Sequence, residues 1–136
     1  MYKIKKEVKN MKPEFRAWTE EGKAMYYGVY PFRDDALLLS YDGFAFDEVP
    51  ASDFILMQST GLKDKNGKEI FEGDVVKYEV GGNTVTEEVV YDKNFAGFGV
   101  KDADAGIIFT FGELAEEIDL TSFEVVGNIY QSPELL

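Results

Sequence analysis

The side chains of this chain that could do chemistry are carboxylates. Its 136 residues include 26 Asp and Glu residues but neither cysteine nor histidine. Disulfides, thiol nucleophiles, imidazole bases and the usual ligands of structural zinc are therefore excluded. Carboxylates that converge can act as acid–base groups or hold Mg²⁺. A carboxylate-dependent, Mg²⁺-assisted enzyme is thus the catalytic alternative that the composition leaves open.

The spacing of these carboxylates argues against a shared site. Adjacent acidic pairs occur at Asp34-Asp35, Asp47-Glu48, Glu87-Glu88 and Glu116-Glu117. Neighbouring residues of a strand point to opposite faces, so Glu87 and Glu88 cannot converge by spacing alone. Asp102 and Asp104, two residues apart in a predicted loop, are the best metal candidates by geometry. Such pairs in an acidic protein are usually solvated surface, and we predict no catalytic residue, no metal site and no cofactor.

Two further pairs have a functional and a structural interpretation. Ser59 and Lys63 could form a nucleophile and a base, but no motif supplies an oxyanion hole, so a turn serine is favoured. Arg16 and Trp18 lie on one face of a predicted strand and could form a cation–π pair. We favour the interpretation that Trp18, the only tryptophan, anchors the core.

The charge distribution bears on the partners. The net charge is −12, and residues 1–10 carry +3, so the remaining residues carry −15. An acidic body repels a phosphate backbone, which argues against general nucleic-acid binding. Solubility is the simplest interpretation. The sharper alternatives are a basic protein partner, or an acidic nucleic-acid mimic that binds a host DNA-binding protein.

The hydrophobic pattern predicts many short strands separated by turns. The predicted strands are Phe15–Trp18, Met25–Tyr27, Ala36–Tyr41, Phe54–Gln58, Val75–Val80, Thr84–Tyr91, Phe95–Val100, Gly106–Phe109 and Phe123–Tyr130. Thr110 and Glu113 form a predicted capping box for one short helix through Glu117. Asn66-Gly67 predicts a hairpin with a type I′ turn. Thr84–Tyr91 is predicted to bend or bulge before Val89.

These elements predict an all-β fold, rich in strands and with one short helix. The spacing from Gly73 to Tyr130 is typical of a small SH3-like barrel, and residues 11–58 supply additional N-terminal strands. We predict an N-terminal extension at 1–10 and a single domain at 11–136. No apolar run is long enough to span a membrane, which makes the cytoplasm of a bacterial host cell the expected location.

Three separated segments share a pattern with a known family. The pattern residues are Phe15, Arg16, Trp18, Gln58, Thr60, Gly61, Leu62, Asp64, Asn66, Gly67, Gly73, Asp74, Gly127, Asn128 and Tyr130. In this pattern the chain resembles the YopX-like proteins of bacteriophages and prophages. Ser59 departs from the aromatic residue expected before Thr60-Gly61. The resemblance implies a β-rich fold, a phage or prophage origin and self-association, and it implies no catalytic residue.

Together these observations predict a non-enzymatic phage accessory protein of unknown role that acts by protein–protein interaction or self-assembly. We expect a homo-oligomer formed through exposed β edges or aromatic surface, with a host protein as a further possible partner and no membrane. Since like-charged subunits repel each other, assembly is expected to strengthen as ionic strength rises.

Overall fold

The computed structural model describes residues 14–136. The chain divides into two compact units that meet in sequence between Gln58 and Ser59. Half of the residues are in strands, so the predicted β-rich class is confirmed. The predicted extension at 1–10 lies outside the described residues, and the single domain at 11–136 stays a prediction. In residues 14–136 no helix has the length and apolar character needed to cross a membrane.

The first unit contains five complete strands and the start of a sixth. They are β1 (Phe15–Thr19), β2 (Ala24–Tyr27), β3 (Tyr30–Phe32), β4 (Ala36–Leu39), β5 (Asp47–Pro50) and the first half of β6 (Ile55–Lys63), with a 3-10 turn at Ala51–Asp53. β1 pairs antiparallel with β2 and with the start of β6. β3, β4 and β5 form a separate antiparallel sheet. The core of this unit consists of Ala17, Val29, Leu37 and Leu39.

The second unit contains a five-stranded antiparallel sheet, and the curled sheets of the chain include a half-barrel. Its elements after β6 are β7 (Glu69–Phe71), β8 (Asp74–Val80), β9 (Asn83–Asp92), β10 (Gly97–Lys101), β11 (Ile108–Thr110), α1 (Phe111–Leu114), β12 (Glu124–Asn128) and 3-10 turns at Leu120–Ser122 and Pro133–Leu135. The strand order is β11-β10-β9-β8-β12. The core is built from Ile70, Val76, Tyr78, Val89, Val100, Phe111, Leu114 and Phe123. The SH3-like description of this unit stays a prediction.

The hairpin predicted at Asn66-Gly67 joins β6 to β7, but the prediction of a type I′ turn was wrong. Gly67 has a positive φ of 81°, whereas Asn66 does not, and a type I′ turn needs positive φ at both residues. Gly67 N–H donates to the carbonyl of Asp64 at 3.0 Å, and Asp64 N–H donates to the carbonyl of Lys68 at 2.8 Å. The loop therefore has three residues, with glycine at its left-handed position.

The two-residue hairpin lies at Gly81-Gly82 instead. These glycines have φ values of 57° and 81°, and Val80 pairs directly with Asn83 across the turn. The short loop sets an uninterrupted register between β8 and β9. The bulge predicted before Val89 is absent from this pairing. The alternation continues through Glu87, which is buried on the same face as Val89.

The predicted capping box is confirmed at the start of α1. The Thr110 hydroxyl accepts from the Glu113 N–H, and the Glu113 carboxylate accepts from the Thr110 N–H. The α-helix ends at Leu114, earlier than predicted. Glu116 and Glu117 lie two and three residues beyond Leu114, and negative charge at a helix C-terminus is unfavourable to the helix dipole. The predicted apolar pair, Leu114 and Ile118, does pack on the core.

Gly99 permits a close approach between β10 and β11. A Cβ atom at this position would lie 2.4 Å from the Phe109 carbonyl oxygen and 2.9 Å from the Thr110 Cα. Both atoms belong to the backbone and cannot move aside by changing a rotamer. At Gly97, two residues earlier on β10, a Cβ atom would meet nothing closer than 3.7 Å.

We therefore predict that Gly99→Ala destabilises the protein, whereas Gly97→Ala does not. The overpacked Gly99 variant should lose about 1–3 kcal/mol of unfolding free energy. Gly97→Ala, the matched control on the same strand, should stay within about 0.5 kcal/mol of the wild type. Urea denaturation of the three proteins checks this. Equal losses for the two variants would contradict the close approach of β10 and β11.

Candidate interaction sites

The Asp64 carboxylate of the second unit accepts three hydrogen bonds from the backbone. Its Oδ1 accepts the N–H groups of Asn66 and Lys68, both at 2.9 Å, inside the β6–β7 turn. Its Oδ2 accepts the N–H of Val125 on β12, also at 2.9 Å. The neighbouring Lys65 N–H donates to the carbonyl of Phe123 at 2.8 Å. One buried side chain thus shapes the hairpin and attaches it to the closing strand.

The surroundings of Asp64 favour its ionised form. Burial by itself raises the pKa of this carboxyl, but the N–H groups of Val125, Lys68 and Asn66 together outweigh it. The pKa therefore lies below its ordinary value. The hydrogen bonds of this carboxylate within residues 14–136 all come from backbone N–H groups, so we assign it a structural role.

Other residues of the family pattern also hold the backbone. Thr60 Oγ1 donates to the Ile70 carbonyl at 2.7 Å, where β6 and β7 change register. Asp74 is buried and accepts the Phe71 N–H at 2.8 Å. Asn128 Oδ1 accepts the N–H groups of Tyr130 and Gln131. These side chains therefore order turns and hold neighbouring backbone segments in place.

Glycines of the pattern are required by local geometry. Gly73 has a φ of 89°; its N–H donates to the Val89 carbonyl, and its own carbonyl accepts from Ile129. A Cβ atom at Gly127 would lie 2.8 Å from the Leu135 side chain and 2.9 Å from Ser132. These positions are explained by backbone geometry and close packing.

In the first unit the pattern residues lie on paired strands. Phe15 pairs with Gln58 between β1 and β6. Trp18 is buried, as favoured from the sequence, and its Nε1 donates to Glu20 Oε2 at 2.8 Å. The Arg16 guanidinium lies 6.0 Å from the centre of the Tyr27 ring. Arg16 therefore makes a cation–π contact with Tyr27.

Two of the catalytic and metal candidates raised by the sequence, Ser59 and Asp102, accept hydrogen bonds from nearby backbone N–H groups. Ser59 Oγ accepts the Gly61 N–H at 3.0 Å, which is the turn role that the sequence favours. Asp102 Oδ1 accepts the N–H groups of Asp104 and Ala105. Within residues 14–136, no three acidic side chains are grouped closely enough to hold a metal ion.

A cavity in the second unit combines an apolar floor with glutamates. It has a volume of about 420 Å³, and we call it the glutamate cavity. It is lined by Tyr78, Val80, Val85, Glu87, Phe109, Glu113, Leu114, Glu116 and Glu117. The Tyr78 hydroxyl donates to the Glu87 carboxylate. Burial, the hydrogen bond to Glu87 and the charges of Glu87 and Asp102 raise the pKa of Tyr78, so the phenol stays protonated.

A second cavity in this unit has a mixed charge. It also measures about 420 Å³ and is lined by Lys65, Lys77, Tyr78, Glu79, Thr84, Ser122 and Glu124. Lys65 Nζ lies 3.4 Å from Glu124 Oε2, so part of its charge is already compensated. The glutamate cavity, by contrast, has no Lys or Arg among its lining residues.

The first unit exposes a loop rich in aromatic residues. The aromatic loop, residues 41–46, connects β4 to β5 and contains Tyr41, Phe44 and Phe46. Phe44 is 92% exposed. The Phe46 ring packs edge-on against Tyr30 at a centroid distance of 5.8 Å. Exposed aromatic groups of this kind mark interaction surfaces more often than isolated apolar residues do.

Hydrogen bonds fix the shape of the aromatic loop. Asp42 Oδ1 accepts the N–H groups of Phe44 at 2.8 Å and of Ala45 at 3.0 Å, while Ser40 Oγ accepts from Gly43 at 2.8 Å. The N–H groups of Ala45 and Phe44 lower the pKa of Asp42. The loop therefore presents Phe44 in a defined position, which reduces the entropy cost of binding.

Neither the aromatic loop nor the glutamate cavity was predicted from the sequence. The Asp42-Gly43 turn signal between aromatic residues could have indicated the loop. The Tyr78–Glu87 pair also had a signal, because a two-residue Gly81-Gly82 loop places residue 87 diagonally across from residue 78.

The similarities to known proteins agree with this fold. The model of the family described as YopX protein matches residues 14–136. The chain therefore belongs to the YopX protein family.

Among solved structures, the crystal structure of protein EF1440 from Enterococcus faecalis is similar, with a TM-score of 0.63 and 29% identity over 92% of this chain and 98% of that chain. The X-ray structure of YopX from Bacillus subtilis is similar in fold, with a TM-score of 0.59 and 24% identity over 90% of this chain and 97% of that chain. No curated protein matches the chain.

We predict that Asp64→Asn destabilises the protein by about 2 kcal/mol at neutral pH, because its buried N–H donors lose a charged acceptor. The folded pKa is lowered, so the contribution of Asp64 is present above the unfolded pKa, about 3.9, and is lost as pH falls through the folded value. The difference between wild type and variant should therefore shrink below about pH 4. Urea denaturation across this pH range measures it.

Asp104→Asn is the control for this prediction, since Asp104 is an exposed acidic side chain of the same unit. It should leave the unfolding free energy within about 0.5 kcal/mol of the wild type at neutral pH. A stability difference between wild type and Asp64→Asn that stays constant from pH 7 to pH 3 would contradict the assignment of an ionised acceptor.

Proposed function

We propose that this protein is a non-enzymatic accessory protein of a phage or prophage, acts in the cytoplasm of the bacterial host, and works by protein–protein interaction through self-association. Membership of the YopX family supports the setting. The observation that carries the interaction is the aromatic loop of the first unit, where Phe44 is 92% exposed on a hydrogen-bonded turn.

A second copy of the chain is the partner that we propose for this loop. Copies that meet across a two-fold axis would bring the same aromatic groups together, which is the usual closed arrangement of homo-oligomers. Aromatic residues that are well packed at the centre of an interface supply most of its binding energy. Phe44 and Phe46, together with Tyr30, offer such anchors.

Side-chain packing is a better basis for this contact than strand addition. β3 and β5 are the outer strands of the three-stranded sheet. Pro31 lies within β3 and Pro50 ends β5, and proline removes a backbone donor that a further strand would need. Of the two routes expected from the sequence, β edges or aromatic surface, we therefore propose the aromatic surface.

The acidic character of the chain adds a salt dependence. The first unit contributes acidic side chains close to the loop, including Asp42, Asp47 and Glu48. Of these three side chains, Glu48 is the one that forms an ion pair within residues 14–136, with Arg33 at 2.5 Å. Two such surfaces repel each other at low ionic strength, and added salt screens the repulsion.

We predict that the wild-type protein forms a homo-oligomer whose dissociation constant falls as salt increases. Phe44→Ser should raise this constant about 30-fold, as expected for an anchor worth about 2 kcal/mol. Size exclusion coupled to light scattering, at low and moderate salt and over a range of protein concentrations, measures both effects.

Phe95→Ser is the matched control, since Phe95 is also an exposed phenylalanine, at 66%, but lies in the second unit between β9 and β10. This variant should assemble like the wild type. A wild-type protein that stays a monomer at high concentration and moderate salt would refute self-association. Equal weakening by the two substitutions would refute the assignment to the aromatic loop.

A further inference from the structure

The glutamate cavity of the second unit is a formed concavity as well as a group of charges. Its volume of about 420 Å³ lies within the range of ligand pockets, about 300–1,000 Å³. Val80, Val85 and Leu114, which line it, also pack on the hydrophobic core. The floor is therefore apolar, whereas the remaining lining residues include four glutamates.

Glu87 is the feature that core packing alone does not explain. It is 9% exposed and lies on the core face of β9 between Val85 and Val89. Burying a carboxylate is costly unless charge or hydrogen bonds compensate it. Within residues 14–136, its carboxylate accepts one hydrogen bond, which the Tyr78 hydroxyl donates to Oε1. The second oxygen, Oε2, accepts no such bond and belongs to a residue that lines the cavity.

Tyr78 satisfies a hydrogen bond of Glu87 but does not cancel its charge. The raised pKa of the phenol keeps the proton on the tyrosine oxygen. No Lys or Arg is among the residues that line the cavity. The negative charge of Glu87 is thus left with a neutral donor on one side and the cavity on the other.

The other three glutamates place further negative charge at the cavity. Glu113 is engaged in the capping box with Thr110, while Glu116 and Glu117 are exposed in the turn that follows α1. A divalent metal ion requires several carboxylates to converge within about 2.6 Å of one point. The described acidic side chains contain no such group of three. Separated carboxylates above an apolar floor suit an organic cation better than a metal ion.

We propose that the glutamate cavity binds an alkylammonium group, with the ammonium against Glu87 and its carbon stem along Val85 and Leu114. The attraction is strengthened because Glu87 is withdrawn from water. A carbon stem would bury apolar surface on the floor while its charged end reaches the carboxylates, as lysine side chains commonly do. A free polyamine and a lysine side chain of another protein share this chemistry. The proposal does not depend on self-association.

The test is a titration followed by amide signals in NMR spectra. Spermidine represents the free polyamine, and a blocked Gly-Lys-Gly peptide represents the protein side chain. Each is added to the wild-type protein with the ionic strength held constant by sodium chloride. We expect saturable shifts of the signals of Val80, Val85 and Leu114. The probe that binds more tightly identifies the source of the cation, and either one supports the site.

Substitutions separate the cavity from general attraction by an acidic protein. Glu87→Gln keeps an acceptor for Tyr78 and removes the charge, and it should weaken binding at least tenfold. The double variant Glu116→Gln/Glu117→Gln changes exposed side chains only and should weaken binding several-fold, which keeps the test valid if the buried substitution impairs folding. Glu134→Gln, an exposed charge outside the cavity, should leave the affinity unchanged.

Three results would overturn the proposal. One is the absence of saturable shifts at millimolar spermidine and at millimolar peptide. Another is equal weakening by the cavity variants and by Glu134→Gln, which would show attraction to net charge only. Equal shifts with Mg²⁺ at the same ionic strength would also overturn it, because they would require no carbon stem. None of these outcomes bears on the oligomeric state.

Discussion

The three backbone bonds accepted by Asp64 organise the second unit. Two of them fold the β6–β7 loop, and the third reaches Val125 on β12, 61 residues later in the chain. Because β12 also pairs with β8, the hairpin and the curled sheet are attached to the same strand. A carboxylate is suited to this position, since its two oxygens can accept several N–H groups at once and bind them more strongly than a neutral acceptor does.

The family pattern and the candidate interaction sites fall on different residues. The pattern residues such as Asp64, Gly73 and Asn128 shape turns, whereas the glutamate cavity and the aromatic loop are formed mainly by other positions. The two sites proposed for interaction therefore use residues other than those that fix the turns. A family pattern of this kind predicts architecture well and says little about a ligand.

Local signals in the sequence predicted which helices, strands and turns are present better than they predicted turn types and bulges. The capping box at Thr110–Glu113 was predictable because its two bonds join residues three apart. The turn at Asn66-Gly67 was misassigned because the Asp64 side chain competes for the backbone donors of the loop. The prediction of a bulge before Val89 was wrong because Tyr78 accommodates a carboxylate on the core face.

β3 and β5 were not predicted, since their residues mix proline, charge and aromatic groups without alternation. The cavity required a register between β8 and β9 that only the Gly81-Gly82 loop indicates.

The place of β12 in the sheet has a consequence for how the chain is made. Because β6 to β11 are synthesised before β12, one edge of β8 has no paired strand until β12 has been made. In that interval Asp64 lacks one of its donors and Phe123, a fully buried core residue, has not yet joined the core. The second unit can therefore close only late, and its long-range pairings make folding slow relative to a chain with local contacts. Until β12 pairs with β8, repulsion between the many carboxylates on the strands made earlier would keep nascent copies of the chain apart.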